Sequence, residues 1–294
     1  CYADGRDWES GATALVVLLV DNLVTVANLG DSRGVMCISR EHRKEHERDD
    51  QWYILEDNAL AGNAESDRSS HRILWREVTD VHSPAREDER DRIETANGWI
   101  TTETEIPISQ LQRIDFLDAD VVEILRRCFS DRFDDSDPSS DVHRAGKQCH
   151  AEPGRLLHIS RVCGELAVSR AIGDRDFKAA FNREAEVDNG YDDEPGWESP
   201  LFLPYPDDHS RRFEGDLVCS LPEFQHHRAG AEGHLNEFLL LACDGLWDVM
   251  DADDAVRVAR DLLFEKGWAA QKVAARLAEL AMHLGSSDNI TVIV

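Results

Sequence analysis

Leu239-Leu-Leu-Ala-Cys-Asp244-Gly-Leu-Trp-Asp248-Val-Met250 decides how the chain is read: a short apolar run stops at an Asp-Gly pair, and a second Asp follows four residues later. Leu239 to Cys243 is too short and too uniformly apolar for an amphipathic surface helix and fits a strand buried on both faces. A carboxylate on the last residue of a rigid strand is held in place, and the Gly after it lets the backbone turn closely around whatever the carboxylate binds. Ser286-Ser-Asp288-Asn-Ile-Thr-Val-Ile-Val294 sets another Asp before a β-branched run, so two strands can bring Asp244 and Asp288 together. Asp-Gly and Asp-Asn are ordinary turn pairs when they stand alone. Here both end or begin strongly apolar strands, with Asp248 close behind, and hard cations such as Mg²⁺ or Mn²⁺ take clustered oxygen ligands of this kind.

Working outward, Ser10-Gly-Ala-Thr-Ala-Leu-Val-Val-Leu-Leu-Val20 and Leu23-Val-Thr-Val-Ala-Asn28 are apolar, β-branched runs separated by Asp21-Asn22, the clearest hairpin pattern in the chain. Asn28-Leu-Gly-Asp31-Ser-Arg33 is a polar turn, and Gly34-Val-Met-Cys-Ile-Ser39 reads as a third strand completing an antiparallel meander. Downstream of the opening stretch, Asp251 or Asp253 can cap a helix whose Ala255, Val258, Ala259, Leu262 and Leu263 share one face. A second helix, from Ala269 to Leu284, repeats the pattern and stops at Gly285. A further helix over Ala85–Ala96, with Pro84 at its start, ends at Asn97-Gly98. Both C-terminal helices read as core packing.

The chain has 294 residues, and no Gly/Ser or Pro linker divides it. One domain, 1–294, is expected, with surface insertions at about 40–76, 101–153 and 182–215. These intervals are charged, His-rich or acidic, as in Asp131-Arg-Phe-Asp-Asp-Ser-Asp137. The 59 Asp and Glu against 32 Lys and Arg leave a net charge of −27, which argues against nucleic acid or an anionic membrane as the main partner. No apolar run approaches the length of a membrane span. Seven cysteines, with no Cys-x-x-Cys pair, suggest reduced thiols in an intracellular protein of the cytoplasm or nucleus.

Laid out in order, these segments carry a set of motifs. They are Ser10-Gly-Ala-Thr-Ala14, Ala27-Asn-Leu-Gly-Asp-Ser-Arg33, Glu89-Arg-Asp-Arg-Ile93, Glu165-Leu-Ala-Val-Ser-Arg-Ala-Ile-Gly-Asp174, Cys243-Asp-Gly-Leu-Trp-Asp-Val249 and Ser287-Asp-Asn-Ile-Thr291. The chain resembles the metal-dependent protein Ser/Thr phosphatases of type 2C, the PPM family, over most of its length. The resemblance implies an α+β fold: a four-layer αββα sandwich, two antiparallel sheets packed face to face with helices outside, N-terminally incomplete here. It further implies hydrolysis of phosphoserine and phosphothreonine in phosphoprotein substrates by a monomer. In that family two divalent cations, Mn²⁺ or Mg²⁺, bridge the attacking water, acidify it and offset charge on the phosphoryl oxygens.

Carried over by motif, Asp244 and Asp288 fall where the family holds this metal pair, and Asp248 matches a ligand of an additional, weaker ion. Asp80 is the other carry-over for that ion, from Asp80-Val-His82-Ser-Pro84, which departs from the family's Asp-His-Lys-Pro run by one extra residue. No residue is assigned as catalytic. The family's phosphate-binding Arg and its Asp-Gly-His-Gly-Gly run, which precede the Ser-Gly-x-Thr-Ala strand, have no counterpart here. That departure keeps open a catalytically silent module that binds phosphoproteins. A cysteine-dependent phosphatase is the third alternative, from the Cys-x₅-Arg spacing of Cys149 and Arg155, although Glu152 inside that loop would repel phosphate.

Overall fold

The computed structural model describes residues 10–41, 52–55, 71–105, 157–182, 196–198, 202, 205–230 and 234–294. The chain divides into two compact units, 1–103 with 160–294, and 104–159. The second unit takes in most of the interval expected to be an insertion at 101–153, and only its two ends are described.

Strands β1 (Gly11–Ala12), β2 (Ala14–Val20) and β3 (Leu23–Leu29) open the fold. The β2–β3 hairpin is in the expected register, with Val20 opposite Leu23 and Asp21 at the turn with φ 53°. The third strand does not complete a meander. β4 (Arg33–Glu41) leaves this sheet and pairs with β6 (His71–Glu77) on one side and β11 (His234–Ala242) on the other. The cause lies at Gly30, which sits at φ +106° and lets the chain cross between sheets; a Cβ there would stand 2.3 Å from the Thr13 side chain.

Two antiparallel sheets result. The first has the order β10-β3-β2, with β10 at Glu223–Arg228. The second has the order β12-β11-β4-β6-β5, with β5 at Tyr53–Ile54 and β12 at Val292–Ile293. Val24, Val26, Met36, Ile38 and Val78 form the apolar filling between them. Three smaller strands, β7 (Ile100–Glu105), β8 (Leu157–Val162) and β9 (Ile172–Gly173), lie outside these sheets, and β9 pairs with β1.

Helix α1 (Glu87–Thr95) is the helix expected over 85–96. After it come two short helices, α2 (Ala179–Asn182) and α3 (Asp244–Trp247), and then α4 (Ala252–Arg260) and α5 (Ala270–His283). α4 and α5 are the two expected C-terminal helices. Ala255, Val256, Ala259, Val273, Leu277 and Ala281 pack with Val35, Trp75 and Leu240 to cover the outer face of the second sheet. The α+β class and the face-to-face sheets match the expectation from sequence. Among the described residues the outer face of the first sheet is bare, with Val16, Leu18 and Phe224 about 60% exposed.

Two of the expected insertions need correction. The interval 40–76 contains β5 and β6, and Ile73 and Trp75 of β6 are buried in the core of the second sheet. A seven-residue strand flanked by His and Arg at one end and Arg-Glu at the other carries too few apolar residues to stand out from its charged surroundings. The interval 182–215 supplies Trp197, Phe202 and Phe213, all at most 1% exposed, to a core with Ile93, Val162 and Leu217. Large aromatics bury 150–250 Å² each, so a few of them anchor a polar stretch.

Candidate metal centre

The register of the second sheet builds this site. Arg33, at the start of β4, lies opposite Ala242, at the end of β11, and Ala242 also lies opposite Val292 of β12. The loops holding Asp31, Asp244 and Asp288 therefore leave the same end of three neighbouring strands. Asp244 is not the last residue of a strand, as the sequence suggested, but the first of α3. Asp248 follows one turn later, its N–H bonded to the Asp244 carbonyl at 2.8 Å.

Backbone contacts fix the approach of α3 to the segment before β12. Cys243 donates its N–H to the Thr291 carbonyl at 3.2 Å, and its thiol lies between the Asn289 carbonyl (3.1 Å) and the Thr291 N–H (3.2 Å). A Cβ on Gly245 would stand 2.3 Å from the Asn289 carbonyl oxygen, so only Gly fits there. Asp244 and Asp288 each accept a bond from the backbone N–H that follows, at 2.8 and 2.6 Å.

The carboxylates act on one another. Burial raises the Asp31 carboxyl to about 6, and Asp244, Asp248 and Asp288 push it the same way. Asp244 is raised too, first by burial and then by Asp288. The structure thus brings together three of the four residues assigned from sequence and adds Asp31. Asp31 was visible as a polar residue at a strand end in Gly-Asp-Ser-Arg, but its distance from Asp244 along the chain hid the association. Asp80 is engaged elsewhere: Oδ2 accepts from Gln225 at 2.8 Å, and its carbonyl accepts from Asn28.

The four carboxylates offer only oxygen donors, and their mutual repulsion is what a doubly charged cation between them would relieve. Such a donor set suits Mn²⁺ or Mg²⁺.

A second charged cluster has the opposite character. Glu89 of α1, 1% exposed, accepts from Arg170 at 2.6 and 2.9 Å and from Arg92 at 2.9 Å. Glu223 accepts two bonds from Arg86, at 2.6 and 3.0 Å, and one from Arg170 at 2.8 Å. Burial pushes Glu89 up, but the guanidinium bonds outweigh it and hold the carboxyl at about 2. Asp88, Glu89 and Glu223 are close enough to ligate one ion, yet three arginines already neutralise them. His82 adjoins this cluster, fully buried, with Nδ1 accepting from Gly30 N–H at 3.0 Å. Burial first, then Arg170, lowers its affinity for a proton.

Cys37, part of the other Cys-x₅-Arg spacing in the chain, lies in the core with its thiol pushed up to about 12 by burial. Cys149 and Arg155 lie outside the described residues. Cys37, Cys163, Cys219 and Cys243 are free thiols. Among the described residues no helix is long and apolar enough to cross a membrane.

The fold and this end of the second sheet define an α+β sandwich with an acidic centre. The chain belongs to the protein phosphatase 2C family, whose model matches residues 2–113 and 149–290. It is 36% identical over 146 residues to protein phosphatase 2C 57 of Arabidopsis thaliana, covering 49% of this chain and 34% of the relative. It is 26% identical over 289 residues to a protein kinase and PP2C-like domain-containing protein of the same plant, covering 98% and 24%. Among solved structures, serine-threonine phosphatase 2C from Toxoplasma gondii aligns with 98% of the chain and 58% of its own length, at 18% identity and a TM-score of 0.45. The chain therefore spans less than two thirds of each of these proteins.

Proposed function

We propose that Asp31, Asp244, Asp248 and Asp288 hold Mn²⁺ or Mg²⁺, and that the protein hydrolyses phosphoserine and phosphothreonine in other proteins. The observation that supports this reading is that the segments carrying Asp31, Asp244 and Asp288 leave the same end of three paired strands, with Asp248 one turn after Asp244. When bound, the divalent pair supplies a nucleophilic water near neutral pH and offsets charge on the phosphoryl group. The protein's own part is to fix the donors. Three paired strands set the spacing of Asp31, Asp244 and Asp288, and the Gly245–Asn289 approach closes the gap between two of them. The Asp80 carboxylate is assigned to an additional, weaker ion by resemblance alone. A reduced compartment, cytoplasm or nucleus, suits the free thiols.

The test is phosphate release from a phosphothreonine peptide with and without Mn²⁺. The reading predicts Mn²⁺-dependent release, abolished by a chelator and restored by added metal. Turnover unaffected by the chelator would overturn it.

A second reading is a phosphatase-like module that binds phosphoproteins without cleaving them. It predicts saturable phosphopeptide binding with no phosphate release at any Mn²⁺ concentration.

A further inference from the structure

The turn that carries Asp244 and Asp248 has little of its own to hold it. α3 is four residues long, and Cys243 at its N-cap position makes no side-chain cap. One helical turn closes few hydrogen bonds for the dihedrals it fixes, so it depends on packing. That packing comes from Trp247, 4% exposed, whose indole N–H donates to the Ala242 carbonyl at 3.0 Å. Over the same ring lies Arg33, its guanidinium carbon 5.2 Å from the ring centroid. Arg33 starts β4 and faces Ala242 across the β4–β11 ladder. Its guanidinium is also paired with the carboxylate of Glu77, the last residue of β6.

We propose that Arg33, tethered by Glu77 and stacked on Trp247, is a positioning residue that holds the turn setting Asp244 against Asp248. The geometry stands by itself; the consequence for metal affinity rests on the metal-centre reading. An ordinary half-exposed ion pair is worth little because solvent screens it. This one differs in its third member, since a flat guanidinium covers an indole face while its N–H groups stay free for a carboxylate. Glu77 offsets the charge of Arg33, so the effect runs through shape rather than through the field at the aspartates. A lysine in its place keeps the charge and loses the flat contact.

The experiment compares wild type, Arg33→Lys and Arg33→Met in two ways. Amide hydrogen exchange on the metal-free protein follows the Asp248 N–H, which is bonded to the Asp244 carbonyl; calorimetry follows Mn²⁺ binding. Both variants should exchange that amide about threefold to tenfold faster and bind Mn²⁺ about threefold to tenfold more weakly, with exchange in α5 unchanged. Wild-type exchange in either variant overturns the proposal, as does restoration by Lys or faster exchange throughout the second sheet. Should Arg33→Met fail to fold, Glu77→Gln takes its place, with a smaller change in the same direction expected. A wild-type protein that binds no Mn²⁺ sinks the metal-centre reading, while the exchange comparison still decides the role of Arg33.

Discussion

The acidic end of the second sheet and the charged cluster on α1 are both built from carboxylates, and they answer burial in opposite ways. At the first, burial and the neighbouring carboxylates raise Asp31 and Asp244 together; Asp31 reaches about 6. At the second, Asp88, Glu89 and Glu223 meet Arg86, Arg92 and Arg170 in equal number, and Glu89 falls to about 2 although it is buried. Burial raises a carboxyl in both places, and the sign of the outcome is set by whether the counter-charge is built into the chain. A cluster that carries its own cations ties elements together. A cluster whose carboxylates face one another presents oxygen donors of the kind a divalent cation takes.

The largest effect that sharpens this contrast is loss of Asp244. Asp244→Asn should lower Mn²⁺-dependent phosphate release about 100-fold or more, measured as kcat/KM on a phosphothreonine peptide. It should also let the Asp31 carboxyl move down toward its ordinary value, since Asp244 is the charge that acts on it most. Next comes Glu89→Ala, which strands Arg170 and Arg92 in a buried site. It should destabilise the protein by about 3–5 kcal/mol in urea unfolding while, if the protein still folds, leaving Mn²⁺ affinity within about twofold.

The pH dependences should run in opposite directions. Glu89 is depressed from 4.5 to about 2, so its contribution is present above about 4.5 and is lost as pH falls toward 2. That loss amounts to about 3 kcal/mol. Asp31 is raised from 3.8 to about 6, so in metal-free protein it costs stability as pH rises through that window, by about 1–3 kcal/mol, and Mn²⁺ should remove the cost. Unfolding midpoints measured from pH 3 to 8 with and without Mn²⁺ check both. The smallest effect is at Glu223, a third exposed: Glu223→Gln should cost about 1 kcal/mol or less and leave the acidic centre untouched.

Much of this was legible in the sequence where period and punctuation agreed. The β2–β3 hairpin, α4 and α5 follow from apolar spacing with turn residues at their ends, α1 from a helix-forming charged run between Pro84 and Asn97-Gly98, and the apolar run through Leu241 announces a buried strand. The association of Asp244 with Asp288 was readable because each stands beside such a run. Asp31 was missed because its link to them passes through strand order: nothing in the linear spacing says that β4 leaves the first sheet and lies beside β11. Arg33 was hidden for the same reason, since its partners Trp247 and Glu77 lie on two other elements. β6 and the aromatic anchors Trp197, Phe202 and Phe213 were masked by charged neighbours, because a few large side chains can secure a stretch whose average composition is polar.

The acidic centre as a site for divalent cations is most directly tested by titrating Mn²⁺ into the metal-free chain by calorimetry, alongside Asp244→Asn and Glu223→Gln. The prediction is saturable binding in the wild type and in Glu223→Gln, with proton release where Asp31 is part-protonated, and loss of that binding in Asp244→Asn. Equal binding by Asp244→Asn and the wild type, or no binding by the wild type, would contradict it.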